Sequence, residues 1–198
     1  ADPVTIKRNL FLTSGIFDVG SQNNSITMKQ GNWTGTNGTF VQGKGTVFFL
    51  GNALQTITNS NAQTFFNVVI NKTANHISLA NDIFVESVLQ FSTSNRGRIN
   101  CNAFTVRMLE PAVAIGVNPG GTNGFVNGKM SFRYRSASSL QVKQYVTGKT
   151  TGIPAYLPVD LSIKLGSNTL TEIVVEQFNA DPPARTLPVV PETILDHS

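Results

Sequence analysis

The sequence predicts an all-β fold: a right-handed parallel β-helix followed by a more antiparallel β region. Three observations predict it. Short β-favouring runs alternate with Gly and Asn every few residues, most densely over 31–73, where no helix of ordinary length fits between the glycines. The composition holds 21 Thr, 20 Asn and 17 Gly but only 13% charged residues. Thr suits a pleated surface, while Asn and Gly supply corners with positive φ. Finally, residues 77–101 can be laid on 4–28 without gaps at an offset of 73. Repetition of strand-and-corner units that cannot bury their apolar faces alone is the mark of a solenoid. An antiparallel β-sandwich also uses short strands at regular spacing and is the alternative.

In chain order, residues 4–7, 10–13, 16–19 and 25–28 read as strands, separated by Asn9, Ser14-Gly15 and Gly20 to Asn24. The offset of 73 sets Val4 against Ile77, Leu10 against Ile83, Phe11 against Phe84, Ile26 against Ile99 and Met28 against Cys101. Only four of the 25 positions are identical, so what repeats is a pattern. In the central stretch, alternation points Val47, Phe49, Ile57, Phe66, Val68 and Ile70 inward. Corner asparagines are expected to stack as amide ladders from coil to coil.

The texture changes near Leu109-Glu110-Pro111. A Gly-rich loop over 116–124 is followed by longer strands at 124–135, 140–147, 155–164 and 168–178. Met130, Phe132 and Tyr134 share one face there, opposite Lys129, Ser131, Arg133 and Arg135; Ile173 and Val175 oppose Glu172, Val174 and Glu176. Such alternation reads as half-buried antiparallel sheet. The expected organisation is a β-helix-like region over 1–108, a β region over 109–179 and a Pro-rich tail over 180–198.

The order of motifs is similar to one particular repeat. Gly31-Asn32-Trp33, Gly38-Thr39-Phe40, Gly45-Thr46-Val47 with Phe49, Gln55-Thr56-Ile57-Thr58 and Phe66-Asn67 with Ile70-Asn71-Lys72 follow one another. Gly124-Phe125-Val126-Asn127-Gly128, Tyr145-Val146-Thr147-Gly148 and Tyr156-Leu157-Pro158-Val159 continue the series. It resembles the Gly/Thr/Asn-rich segments of large secreted surface proteins of Gram-negative bacteria that use the type IX secretion route. The chain departs from that pattern at Val146, where the family has proline, and at Leu157, where it has arginine. The resemblance implies a solenoid-like stalk or adhesin segment of a longer chain and brings no catalytic residues.

The residues themselves point to little chemistry. His76 precedes a strand and His197 lies in the tail; two histidines and one cysteine are too few for a His/Cys metal site. Cys101 shares the parity of Ile99 and reads as a small buried hydrophobe. The acid pairs Asp82/Glu86 and Glu172/Glu176 read as solvated strand faces rather than a glycosidase pair. No catalytic residue, metal or cofactor is expected. No apolar run approaches the roughly 20 residues needed to cross a bilayer.

Two candidate contact features remain. Residues 111–159 hold Lys129, Arg133, Arg135, Lys143 and Lys149 and no acid, a candidate surface for an anionic partner such as an acidic glycan. Phe132 and Tyr134 point away from the arginines, which argues against base stacking, so no nucleic acid is expected. Trp33 is a candidate for stacking on a sugar ring if exposed, or else a buried Trp. The functional expectation is a non-enzymatic secreted or cell-surface structural or adhesive module with a surface glycan or protein partner. The alternative is a carbohydrate-binding module, or a degenerate carbohydrate-active β-helix, that takes an acidic glycan.

Overall fold

The computed structural model describes residues 3–21, 23–92, 97–116, 124–135, 139–150, 155–166 and 171–177. The interior of the 116–124 loop, parts of the 168–178 strand and the 180–198 tail lie outside the described residues. The chain forms a parallel β-solenoid of about five turns, with antiparallel sheets on its C-terminal side.

Each turn contributes a strand to three faces, here called A, B and C. The first turn is β1 (Val4–Ile6), β2 (Leu10–Leu12) and β3 (Ile16–Asp18). The second is β4 (Ile26–Met28), β5 (Trp33–Gly35) and β6 (Thr39–Val41). Then β7 (Thr46–Gly51) and β8 (Gln55–Asn59) lead into β9 (Gln63–Lys72), whose first part closes the third turn and whose second part opens the fourth. The same economy continues through β10 (Ile77–Leu79), β11 (Ile83–Phe91), β12 (Arg98–Met108), β13 (Val113–Ile115) and β14 (Phe125–Tyr134).

Stacking is in register. On face A, Val4, Ile26, Val47, Val68 and Leu89 sit one above another, each step 21 or 22 residues. On face B, Leu10, Trp33, Ile57 and Leu79 form one column, and Ile77, Ile99 and Val126 a second. On face C, Phe65, Val85, Met108 and Phe132 align. The 73-residue offset seen in the sequence is therefore three turns plus one face. It lays β1, on face A, over β10, on face B. Under that shift the buried Leu12, Ile26 and Met28 fall on the buried Val85, Ile99 and Cys101.

One inward expectation was displaced by a single residue. Phe65 is fully buried and Phe66 is half-exposed. Phe66 and Asn67 are consecutive half-exposed residues at the bend of β9, where the strand leaves face C for face A and the period of two slips. Val47, Phe49, Ile57, Val68 and Ile70 are all inside, as alternation predicts. Cys101 is buried too, and its thiol donates to the Lys129 carbonyl at 3.3 Å.

Aromatic rings from two successive turns meet at the centre. Trp33 packs edge-on against Phe40 (4.8 Å) and Phe65 (5.2 Å), and Phe65 meets Phe49 at 6.3 Å. A buried ring of this size contributes about 2–3 kcal/mol through area removed from water. The corner asparagines mostly cap backbone rather than each other. Asn9 Oδ1 accepts from the Asn32 N–H at 2.8 Å, and Asn32 Oδ1 from the Thr56 N–H at 2.9 Å. Asn127 Nδ2 donates to Asn100 Oδ1 at 3.2 Å, a side-chain rung of the expected kind.

The parallel ladder does not end at residue 108. β13 and β14 pair in parallel with β11 and β12, so the change of texture at 109 lies inside the solenoid. The antiparallel part consists of β15 (Gln141–Tyr145), β16 (Gly148–Lys149), β17 (Ala155–Tyr156), β18 (Val159–Ile163) and β19 (Thr171–Glu176). β15 pairs with β18 and β16 with β17, while β19 lies antiparallel along the outer edge of β14. That pairing covers an edge that would otherwise offer unpaired backbone groups.

Candidate functional surface

The acid-free segment does not stay free of acids once folded. Acids reach its cations from outside it. β19 sets Glu176 opposite Lys129 and Glu172 opposite Arg133. Glu110, one residue before the segment begins, takes Arg135 Nε at 3.3 Å and Lys143 Nζ at 3.2 Å. Lys143 is also held by the Ala112 carbonyl and lies over the Phe132 ring, 5.6 Å from its centroid. Lys149 is half-buried in the short β16–β17 ladder. Of the five predicted contact residues, Arg135 and Lys143 are in ion pairs and Lys129 and Arg133 lie across from carboxylates. Three carboxylates are thus set among these five cations, two by β19 and one by Glu110 just before the segment's edge.

The expectation of Trp33 as a sugar-stacking residue is corrected. Its side chain is fully buried among Phe40 and Phe65, so no sugar reaches its ring. Alternation within β5 faces it inward, in line with Leu10 and Ile57.

The acid pairs take structural partners. Arg107 bridges Asp82 (2.7 Å to Oδ2) and Glu172 (2.5 Å to Oε1). Asp82 Oδ1 also accepts from the Thr105 N–H, and Glu172 Oε1 from the Ser131 hydroxyl at 2.6 Å. Burial pushes the Glu172 carboxyl up, but the Ser131 hydroxyl and Arg107 outweigh it and hold it below the ordinary range. Glu86 accepts from Gln42 Nε2 at 3.1 Å, at the rim of a cleft of about 290 Å³ on face C. That cleft opens where β6, paired only with β3, fails to join β9.

The corner between faces A and B carries residues that local reading missed. Lys72 is a buried lysine whose ammonium donates to the Leu50 carbonyl (3.2 Å), the Ala53 carbonyl (2.5 Å) and Gln55 Oε1 (2.7 Å). Gln55 in turn donates to the Gly31 carbonyl at 3.0 Å. Three turns are thereby tied through one polar plug. Burial lowers the Lys72 amine from its ordinary 10.5 to about 8, so it is charged at neutral pH. His76, at the same corner, is lowered by burial and then by the charges of Arg98 and Lys72. Burial raises the Cys101 thiol to about 12, which keeps it protonated and unreactive.

Among the described residues, no group of three or more His, Cys, Asp or Glu converges on a point that could hold a metal ion. No helix of the described residues is long and apolar enough to cross a membrane. Compared with known proteins, the chain matches no family model, no curated sequence and no solved structure.

Proposed function

We propose that this chain is a non-enzymatic structural or adhesive segment of a larger secreted, surface-associated protein. The observation that carries the reading is the solenoid itself. Each turn repeats three short strands around one continuous core, so the unit lengthens by roughly 4.8 Å per turn without new design. Its work is to space and display, and to contact partners along its sides. The structural use of Asp82 and Glu172, both engaged by Arg107, supports the non-enzymatic part. The motif order shared with secreted surface repeats supports the location.

The test is antibody labelling of intact producing cells with serum raised against residues 3–177. Decoration of the cell surface, or antigen in the culture medium, is the expected result. Antigen revealed only after permeabilisation overturns the reading. A carbohydrate-cleaving activity that disappears in both Asp82→Asn and Glu176→Gln variants would overturn the non-enzymatic part.

A further inference from the structure

The corner between faces A and B runs the length of the solenoid and gathers cations without acids. Its first turn carries Lys7 and Arg8 between β1 and β2, its second carries Lys29 between β4 and β5. Its fourth carries Lys72 and His76, and its fifth Arg98 at the start of β12. The acids among the described residues are Asp18, Asp82, Glu86, Glu110, Asp160, Glu172 and Glu176. None lies on this corner. Asp18 ends β3, Asp82 and Glu86 flank or lie within β11, and the rest follow β12. Lys7, Arg8 and Lys29 are exposed and have no carboxylate partner among the described residues.

Two further observations make the corner more than a count of charges. A groove of about 490 Å³ crosses the first three turns, lined by Lys7, Arg8, Gln30, Asn32 and the half-exposed Leu54 over a floor at Gly31. Gly31 has φ +90°, and a Cβ there would sit 2.5 Å from the Arg8 carbonyl carbon, so the floor is necessarily bare backbone. Further along, the Arg98 Nε is buried with no acceptor among the described residues. The depressed His76, shifted by Arg98 and Lys72 after burial, is consistent with a positive potential at this edge.

We infer that this corner is a binding edge for an acidic polysaccharide. The inference names the partner of the adhesive surface proposed above and rests on that reading for its cellular setting. From the first turn to the fifth the cations span roughly 19 Å at about 4.8 Å per turn, which calls for a chain bearing repeated anions rather than one small ion. Amide side chains beside the cations, Gln30 and Asn32, suit sugar hydroxyls, which need both donors and acceptors. No aromatic ring lines the groove to stack a base, which separates this edge from a single-stranded nucleic acid channel. Lys72 supplies field but not contact, because its protons are held by three internal oxygens.

The experiment is affinity electrophoresis and titration calorimetry of the purified chain with polygalacturonate (carboxylated), dextran sulfate (sulfated), neutral dextran and a single-stranded oligonucleotide. Binding to one or both acidic polysaccharides and none to dextran is expected, weakening as salt rises. A Lys7→Gln/Arg8→Gln/Lys29→Gln variant should lose roughly tenfold or more in affinity, while Lys129→Gln/Arg133→Gln changes it less than about twofold. The polygalacturonate and dextran sulfate arms show which anion the edge prefers. Absence of binding to both, equal loss in the two variants, or tighter binding to the oligonucleotide overturns the inference. Lys7, Arg8 and Lys29 are exposed and Lys129 and Arg133 half-buried, and circular dichroism of each variant checks that the fold is kept. Failure here with surface labelling intact rejects the partner alone; binding here with antigen found only inside cells rejects the location alone.

Discussion

On the C-terminal side, Arg107 lies between Asp82 and Glu172, Glu110 holds Arg135 and Lys143, and β19 sets carboxylates across from Lys129 and Arg133. At the corner of faces A and B, Lys7, Arg8 and Lys29 have no carboxylate partner among the described residues, and the buried Lys72 is held by carbonyl and amide oxygens alone. The first region is rich in cations locally and receives carboxylates among them in space. The second is sparse in cations locally and accumulates them in space, because every turn returns to the same corner. The field of a solenoid is thus set by the phase of the repeat, not by charge along a stretch of chain.

The comparison can be tested at several depths. The largest effect is expected at the core that supports both regions: Trp33→Ala should cost about 3–5 kcal/mol, read from urea unfolding. A loss below about 0.5 kcal/mol would return Trp33 to the surface. Next comes the corner's polar plug. Lys72→Met leaves the Leu50 and Ala53 carbonyls and Gln55 Oε1 without their donor and should cost about 1–3 kcal/mol at neutral pH.

The same variant gives a pH signature. Because the folded amine sits near 8 and the ordinary value is 10.5, the unfolded chain holds more protons between those limits. Stability of the natural chain relative to Lys72→Met should therefore rise with pH from about 8 toward 10.5. A flat difference would mean the amine is not desolvated.

On the C-terminal side, Arg107→Ala leaves two carboxylates without their shared cation and should cost about 1–2 kcal/mol. Glu172 is held below its ordinary value, so its contribution is present above 4.5 and lost as pH falls through the lower folded value. Glu172→Gln should remove that part of the acid limb, as measured by unfolding at pH 3 and pH 6. The smallest effect is expected at Arg133→Ala, within about 0.5 kcal/mol and without change in polysaccharide affinity. A clear loss of affinity there would restore the acid-free segment as a binding face.

Much of the fold was legible because inward and outward positions alternate with a period of two and corners are marked by Gly and Asn. That pattern placed Val47, Phe49, Ile57, Val68, Ile70, Met130, Phe132 and Tyr134 inside. It failed at Phe66, where a bend within β9 shifts the parity, and no local residue signals a bend made without a loop. The repeat was visible but one face out of phase, since strands on all three faces share the same apolar–polar rhythm. The edge was hidden for the same reason: Lys7, Lys29, Lys72 and Arg98 look scattered until successive turns bring them to one corner.

By itself, then, the sequence determined the elements: short strands, which of their side chains are apolar, and where the chain turns. Those are properties of a few neighbouring residues, set by side-chain chemistry and backbone preference. The tertiary structure decided which strands stack, that Trp33 is enclosed, that Glu110 and β19 bring carboxylates among the C-terminal cations, and that one corner gathers cations without acids among the described residues. These depend on residues more than 20 positions apart meeting in space, and electrostatic energy follows that distance rather than the distance along the chain.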